Sequence, residues 1–373
     1  MTVVHTPEHS TWPEPLRRLN AICPYYTMFP LDFPLGQLAE CPEARRLLDP
    51  FCGRGTTLYA ARLAGLPAVG IDINPVAVAI AEAKLVQVNP DEVVALARHL
   101  LAVPTEEPVP EGEFWEWCFD RETLLELTAL RSGLLAERGA AASMLRAILL
   151  GVLHGPRNKG LPSYVSNQMP RTYASKPAYA VRYWKERGLE PVRIPVLDVV
   201  ERRARRMLEQ SPPAAGGRVH LGDSVRKLRS LRQRFDLVVT SPPYYGMRTY
   251  VPDQWLRAWF LGGPPEVPYG TLGQIARKPS QEAFTAALAE VWEATARRCS
   301  PGARLAIRFG ALPSARTDPR QMLADSVEAA SADWVVKEIR PAGVPTPRSR
   351  QAAQFGKAGT AIDEIDLIAE LKS

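Results

Sequence analysis

The chain has no apolar run approaching the roughly 18 residues of a membrane-spanning helix. Met1 to Pro13 contains no apolar stretch of the signal-peptide kind. Cysteine is scarce and unpaired: Cys23, Cys41, Cys52, Cys118 and Cys299 are odd in number, far apart, and include no Cys-x-x-Cys. That spacing argues against a zinc site and a disulfide framework, so no metal is expected and a reducing cytoplasm is the expected compartment. What is present is ordinary for a globular chain of 373 residues, with 46% hydrophobic and 23% charged residues. This length suits one large α/β domain carrying an insertion, or two domains. Proline is the exception, 35 residues, so strands and helices must fit between many rigid loops.

The net charge of +6 is concentrated in one place. Between His154 and Arg187 lie Arg157, Lys159, Arg171, Lys176, Arg182, Lys185 and Arg187, opposed only by Glu186, while the other 39 cations and 39 acids cancel. A focused excess of this kind suits an anionic partner, nucleic acid first. Tyr164, Tyr173, Tyr179, Tyr183 and Trp184 are interleaved with it. The alternative is a solvated basic face.

Hydrophobic periodicity divides the chain in three. Residues 1–90 contain a helical stretch near Leu16–Ile22, then a strand ending at Asp49, a glycine turn, a helix over Leu58–Gly65, a strand over Pro67–Ile73 and a helix over Pro75–Val88. Residues 91–216 read as helices over Glu92–Ala102, Arg121–Ala136, Ala141–Leu153 and Val196–Glu209, without clear strands. Residues 217–373 return to alternation. Strands are expected at Val219–Leu221, Phe235–Thr240, Ala303–Phe309, Asp333–Arg340 and Ile362–Leu371, with a helix over Ser280–Cys299. The pattern predicts a doubly wound, mostly parallel sheet interrupted by a mainly helical, basic insertion.

The first strand feeds its helix through Asp49-Pro50-Phe51-Cys52-Gly53-Arg54-Gly55-Thr56-Thr57. Glycine there lets backbone approach a ligand, and the helix start offers free N–H groups. Asp72 ends the next strand, where a carboxylate can accept ribose hydroxyls. Asp223, ending the third strand, is placed for an adenine amino group. The turn lacks the third glycine of the dinucleotide fingerprint and the Gly-Lys-Ser/Thr of a P-loop, which disfavours NAD and ATP and leaves another nucleoside cofactor.

The segment from Asp49 to Thr57 resembles the S-adenosylmethionine motif of the DNA methyltransferases that modify exocyclic amino groups, and Ser241-Pro242-Pro243-Tyr244 resembles their catalytic motif. The resemblance covers roughly residues 23–90 and 217–371. It implies a class I methyltransferase fold with a seven-stranded sheet, S-adenosyl-L-methionine as cofactor, and Asp49, Phe51, Gly53, Gly55, Asp72 and Asp223 as its contacts. Pro24-Tyr25-Tyr26-Thr27-Met28-Phe29-Pro30 is similar in place and composition to the upstream cofactor-contact motif of that family, which adds Thr27 and Phe29. The motif order puts target recognition in the insertion. Its implied partners are double-stranded DNA and a cognate restriction endonuclease or defence-system proteins, although no endonuclease motif is evident in the chain.

The catalytic motif has a chemical rationale. The lone pair of an exocyclic amine is delocalised into its base, so the nitrogen needs acceptors that draw it toward tetrahedral geometry. The Ser241 hydroxyl and Pro242 carbonyl can accept its hydrogens, and Pro242 and Pro243 stiffen the turn. Tyr244 offers an aromatic face to an extruded base. No covalent adduct is required, so Cys52 reads as a small buried residue of the turn. In the family, serine at the first motif position leans toward N4 of cytosine, with N6 of adenine second. Amino groups of RNA bases, or a DNA-binding subunit with a vestigial cofactor fold, are the remaining readings.

In the insertion, the cationic turn His154–Gly160 and the mixed segment Ser166–Tyr173 suit phosphate contacts and base-edge reading, with Arg157, Lys159, Arg171 and Lys176 as the DNA-binding candidates. A loop hydrogen bond explains His154 equally well. Arg340, Arg348, Arg350 and Lys357 form a second, weaker patch. Trp255, Trp259 and Phe260 read as core or pocket wall.

Overall fold

The structure is a computed structural model that describes residues 13–25, 30–156, 160–169, 176–247, 252–267, 275–310, 318–330, 333–342 and 364–372. Its centre is a seven-stranded sheet of order β3-β2-β1-β4-β5-β7-β6. The strands are β1 (Leu47–Asp49), β2 (Ala68–Asp72), β3 (Gly217–Leu221), β4 (Phe235–Thr240), β5 (Cys299–Gly310), β6 (Trp334–Pro341) and β7 (Glu364–Leu371). The first five run parallel, and β7 is antiparallel to both β5 and β6. The doubly wound, mostly parallel sheet expected from the sequence is present, with the seven strands that the resemblance implies.

Strand periodicity sends alternate side chains into two cores. Leu47, Leu237, Val239 and Ile368 point into one cluster, and Leu48, Val238, Leu367 and Ala369 into the other. The second cluster is closed by the helices Gln281–Ala296 and Pro319–Ala330, through Phe284, Leu288, Trp292, Leu323 and Val327.

The first cluster explains the insertion. Val93 and Leu100 of helix Pro90–Ala102, Leu127 and Leu130 of helix Arg121–Ala136, and Leu145 and Ile148 of helix Ala140–Val152 share a core with Leu47 and Leu237. Among the described residues the insertion is thus an outer layer, packed through helix Ala140–Val152 on helix Pro75–Leu85, which itself lies on the sheet. Trp255, Trp259 and Phe260 tie this layer to the C-terminal half and are almost wholly buried, which bears out the core reading. The Trp255 ring lies 4.8 Å from Phe114, and Trp259 lies 4.7 Å from Trp115.

Local chemistry fixes the helix starts. Asn74 caps helix Pro75–Leu85 by accepting from the Val76 amide at 3.0 Å, with Pro75 at the first helical position. Asn89 and Glu92 form a capping box, so the next helix begins at Pro90 rather than Glu92. Asp120 accepts from the amides of Glu122 and Thr123. The helices Asp32–Glu40, Glu113–Cys118, Pro177–Glu186, Trp255–Phe260 and Pro319–Ala330 had no counterpart in the sequence reading. No helix among the described residues is long and apolar enough to cross a membrane.

Candidate active site at the ends of the parallel strands

In an open parallel sheet the crevice beyond the carboxyl ends of the strands receives ligands. Here β1, β2 and β4 end at Asp49, Asp72 and Thr240, and the segments that follow enclose a cavity of about 240 Å³. Its wall includes Phe51, Gly53, Asp72, Asp223 and all four residues from Ser241 to Tyr244.

The glycine turn is held by backbone and carboxylate together. The Cys52 amide donates to the Ile71 carbonyl at 3.0 Å, and the Gly55 amide to the Cys52 carbonyl at 2.7 Å. Gly55 sits at φ +76 directly before helix Thr56–Leu63, and a Cβ on it would meet the Ala81 Cβ at 2.8 Å. Only glycine serves there, for conformation and for space. Gly53, at φ +49, has no heavy atom within 4 Å of its missing Cβ and faces open space. Gly53 lines the cavity and Gly55 brings the helix close to its neighbour; the two glycines do different things.

Asp72 is the hub of the site. Its Oδ2 accepts the Gly53 amide at 2.9 Å and its Oδ1 the Asn74 amide at 2.8 Å. Desolvation in the crevice pushes the carboxyl up to about 6, against the stabilising hydrogen bonds of the Asn74, Gly53 and Ile73 amides. Asn74 in turn donates through its Nδ2 to the Tyr25 hydroxyl at 2.9 Å. Tyr25 lines the cavity, so the upstream segment from Pro24 starts beside the site. Thr27 and Phe29 lie outside the described residues.

Asp49 is fully buried. Its Oδ1 accepts from the Phe51 amide at 3.0 Å and from the Thr240 hydroxyl at 2.6 Å. Burial raises its carboxyl to about 6, with the Thr240 hydrogen bond acting in the opposite direction. Among the described residues, Asp49 does not line the cavity; it supports the turn from behind. Asp223 lies two residues beyond β3 and caps helix Ser224–Ser230, accepting from the Arg226 amide at 3.0 Å, while it also faces the cavity. Ser224 anchors this corner to the turn through its hydroxyl, which donates to the Pro50 carbonyl at 2.6 Å.

Ser241 and Pro243 are part-buried and Pro242 is buried. Tyr244 is only 4% exposed, its ring edge-on to Phe309 at 5.8 Å and its hydroxyl donated to Glu364. Cys52 is buried and its thiol is raised well above the ordinary range by desolvation, which makes it an inert packing residue.

Sequence reasoning missed Asn74, Ser224 and Glu364 as parts of this wall. Asn74 was legible as a cap before Pro75. Glu364 had no local signal, because only the sheet brings it to Tyr244.

The basic insertion is described in part. Arg157, Lys159 and Arg171 lie outside the described residues. Lys176 is exposed and stands directly before helix Pro177–Glu186. That helix buries Ala180, Val181 and Trp184, and the Trp184 indole donates to the Gln168 carbonyl at 2.7 Å. Its other side exposes Tyr179, with the Arg182 guanidinium 6.0 Å above the ring, and Arg187 stacks 4.1 Å from Tyr183. Lys185 pairs with Glu113, and Arg187 with Glu186 at 3.4 Å, so part of the local charge is already matched. Arg340 of the weaker patch is also engaged, with Glu40 and Glu338; Arg348, Arg350 and Lys357 lie outside the described residues. Among the described residues none of 91–216 lines the cavity. All five cysteines are buried free thiols, and no group of three or more His, Cys, Asp or Glu among the described residues is arranged to hold a metal ion.

No family model matches the chain. No curated protein matches it. Solved structures do. The chain is similar to the rRNA methyltransferase aviRa from Streptomyces viridochromogenes, with 16% identity, 99% of this chain and 96% of that one covered, and a TM-score of 0.38. It is also similar to TrmN from Thermus thermophilus, with 11% identity and a TM-score of 0.37; 95% of this chain is covered but only 52%, about half, of that protein. An rRNA methylase from Streptococcus thermophilus matches at 8% identity and a TM-score of 0.35, over 94% of this chain and all of the other.

Proposed function

We propose that the chain is an S-adenosylmethionine-dependent DNA methyltransferase acting on an exocyclic amino group, N4 of cytosine first and N6 of adenine second. One observation carries the reading: the glycine turn, the strand-end acid Asp72 and the whole Ser241–Tyr244 motif wall a single cavity. Segments nearly 200 residues apart converge there, as the resemblance of each to a methyltransferase motif requires.

The residues fit the cofactor. A carboxylate offers roughly four acceptor sites, and Asp72 has lone pairs to spare for ribose hydroxyls beside its backbone partners. Gly53 leaves the approach open, Phe51 gives an apolar wall, and Asp223 stands across the cavity for an adenine amino group. S-adenosylmethionine, when bound, supplies an electrophilic methyl group.

The rest of the chemistry belongs to the chain. The Ser241 hydroxyl and the Pro242 carbonyl accept the amino hydrogens and draw the nitrogen lone pair out of conjugation. Both sit on a proline-stiffened turn and need little reorganisation as positive charge develops on nitrogen. Tyr244 forms the wall against which the extruded base rests. Lys176 and the cations of the insertion hold phosphates and position the duplex. A cytoplasmic protein acting on DNA, with a cognate nuclease or defence-system proteins as associates, completes the reading.

Sequencing with modified-base detection, on DNA from cells expressing the chain and from an empty control, tests it. A sequence-specific N4-methylcytosine signal is expected. N6-methyladenine would correct the base; DNA no different from the control would overturn the DNA assignment.

A further inference from the structure

Tyr244 follows β4, and Glu364 opens β7, 120 residues later. Because β7 runs against the parallel strands, its first residue lies at the same end of the sheet as their last ones. Glu364 pairs in register with Gly310 at the end of β5, and its carbonyl accepts the Ala342 amide at 2.8 Å, which pins the start of β7. Its side chain, 8% exposed, accepts the Tyr244 hydroxyl and lines the same cavity. Phe309, the neighbour of Gly310, meets the Tyr244 ring at 88°. Phe309 is itself stacked on Phe284, with 6.2 Å between centroids.

Among the described residues, Glu364 holds the ring at its hydroxyl end and Phe309 meets its edge. We propose that Glu364 is a positioning residue for the reaction, fixing the Tyr244 ring so that the target base meets a wall already in place. The proposal rests on the methyltransferase reading of the cavity. Its physical basis is general: a side chain ordered before binding does not lose rotational freedom on binding. Truncating Glu364 takes this acceptor from a buried hydroxyl and loosens that end of the ring. The loss falls on the base rather than the cofactor, since the glycine turn and Asp72 are held by each other's backbone and carboxylate.

Two measurements decide the matter. In nuclear magnetic resonance of protein with 13C-labelled tyrosine rings, Tyr244 is assigned by the signal that disappears in Tyr244→Phe. Slow exchange of the Tyr244 hydroxyl proton with solvent, read as a deuterium isotope shift at the ring Cζ, is expected in the wild type and in Glu364→Gln, whose amide oxygen still accepts, and fast exchange in Glu364→Ala. Equal exchange in wild type and Glu364→Ala overturns the clamp whether or not the protein methylates anything. The second measurement uses radiolabelled S-adenosylmethionine and plasmid DNA from a host free of DNA methyltransferases. Glu364→Ala should raise KM for DNA about tenfold, as removal of a buried hydroxyl's partner implies, with cofactor affinity unchanged and Glu364→Gln near wild type. Tyr244→Phe, which keeps the ring and removes the donor, should match Glu364→Ala, and the double variant should be no worse than either. An unchanged KM in both single variants overturns the role. A wild-type protein whose Tyr244 hydroxyl proton exchanges slowly yet which methylates no DNA supports the clamp and refutes the DNA reading.

Discussion

The Thr240 hydroxyl donates to Asp49 Oδ1 across 2.6 Å, joining the last residue of β4 to the last residue of β1. The same oxygen accepts the Phe51 amide, so one buried carboxylate holds the glycine turn and the strand that delivers Ser241. Its carboxyl lies at about 6 in the folded chain against an ordinary 3.8. A raised carboxyl works against folding once it ionises: below about pH 4 it is neutral in both states, between about 4 and 6 only the unfolded chain loses the proton, and above 6 the penalty is constant. Asp49→Asn, which keeps an oxygen for Thr240 and Phe51, should therefore gain stability relative to wild type as pH rises from 4 to 6. The gain should level off above 6, at up to about 3 kcal/mol for a shift of roughly two units. Urea unfolding at pH 4, 6 and 8 reads the difference, and a gap independent of pH would contradict it.

Asp72 gives a pH dependence to binding. Its carboxyl also lies at about 6, and hydroxyl donors favour the ionised form. Affinity for S-adenosylmethionine should hold above pH 7 and fall as pH drops through 6. Asp72→Ala should weaken binding by roughly 1.5–3 kcal/mol for each charged hydrogen bond removed and should flatten the pH profile. Calorimetry across pH 5–8 checks both; unchanged affinity in Asp72→Ala removes this residue from the site.

The two glycines of the turn should respond differently. Gly55→Ala places a Cβ against both the Cβ and the Cα of Ala81, at 2.8 and 2.9 Å, in a positive-φ conformation. Overpacking and strain together should cost roughly 2–4 kcal/mol. Gly53→Ala meets no atom and carries only the conformational cost, about 1 kcal/mol, while narrowing the cavity. Thermal unfolding should separate the two, and cofactor titration should show Gly53→Ala as a binding defect in a stable protein.

Ser241→Ala removes an acceptor that matters most as the amino nitrogen becomes positive. The rate of methyl transfer should fall ~10²–10³-fold, with DNA and cofactor affinities nearly unchanged. The product, read by mass spectrometry of digested DNA, should be N4-methylcytosine. Full activity of the variant, or 5-methylcytosine as product, would rule out direct attack by an exocyclic nitrogen held at this turn.

Salt dependence sorts the cations of the insertion. Arg157→Ala with Lys159→Ala should reduce the slope of log affinity against log salt by about one unit for each phosphate no longer neutralised. Lys185 is already paired with Glu113, so Lys185→Ala should change the slope less. Cofactor affinity should not move in either case. Identical slopes in all variants would mean that these side chains face only solvent.

Much of the sheet was legible because several strands are short apolar runs: Phe235–Thr240, followed by Ser241-Pro242-Pro243, appears with the expected limits. The site was legible wherever one strand end carried its own signal, as at Asp72 and Ser241. What escaped is what a pattern cannot show. Helix Pro177–Glu186 was hidden because its cations and tyrosines dominate a segment whose buried face is only Ala180, Val181 and Trp184. The open ring face expected at Tyr244 depends on partners in β5 and β7, and those make it a nearly buried wall. What the helices of the insertion pack against was also not legible, because periodicity reports that a helix has an apolar face but not which surface covers it.

The position of β3 has a consequence for biosynthesis. It is the edge strand, and its pairing with β2 runs from Ala68 opposite Gly217 to Asp72 opposite Leu221. About 145 positions separate Asp72 from Gly217, so at 5–20 residues per second a ribosome needs roughly 7–30 s to deliver the partner of β2. Throughout that interval the nascent chain carries an unpaired parallel edge, the kind of surface that invites aggregation. Of the helices made in the meantime, Ala140–Val152 packs on helix Pro75–Leu85, and the edge itself waits for β3.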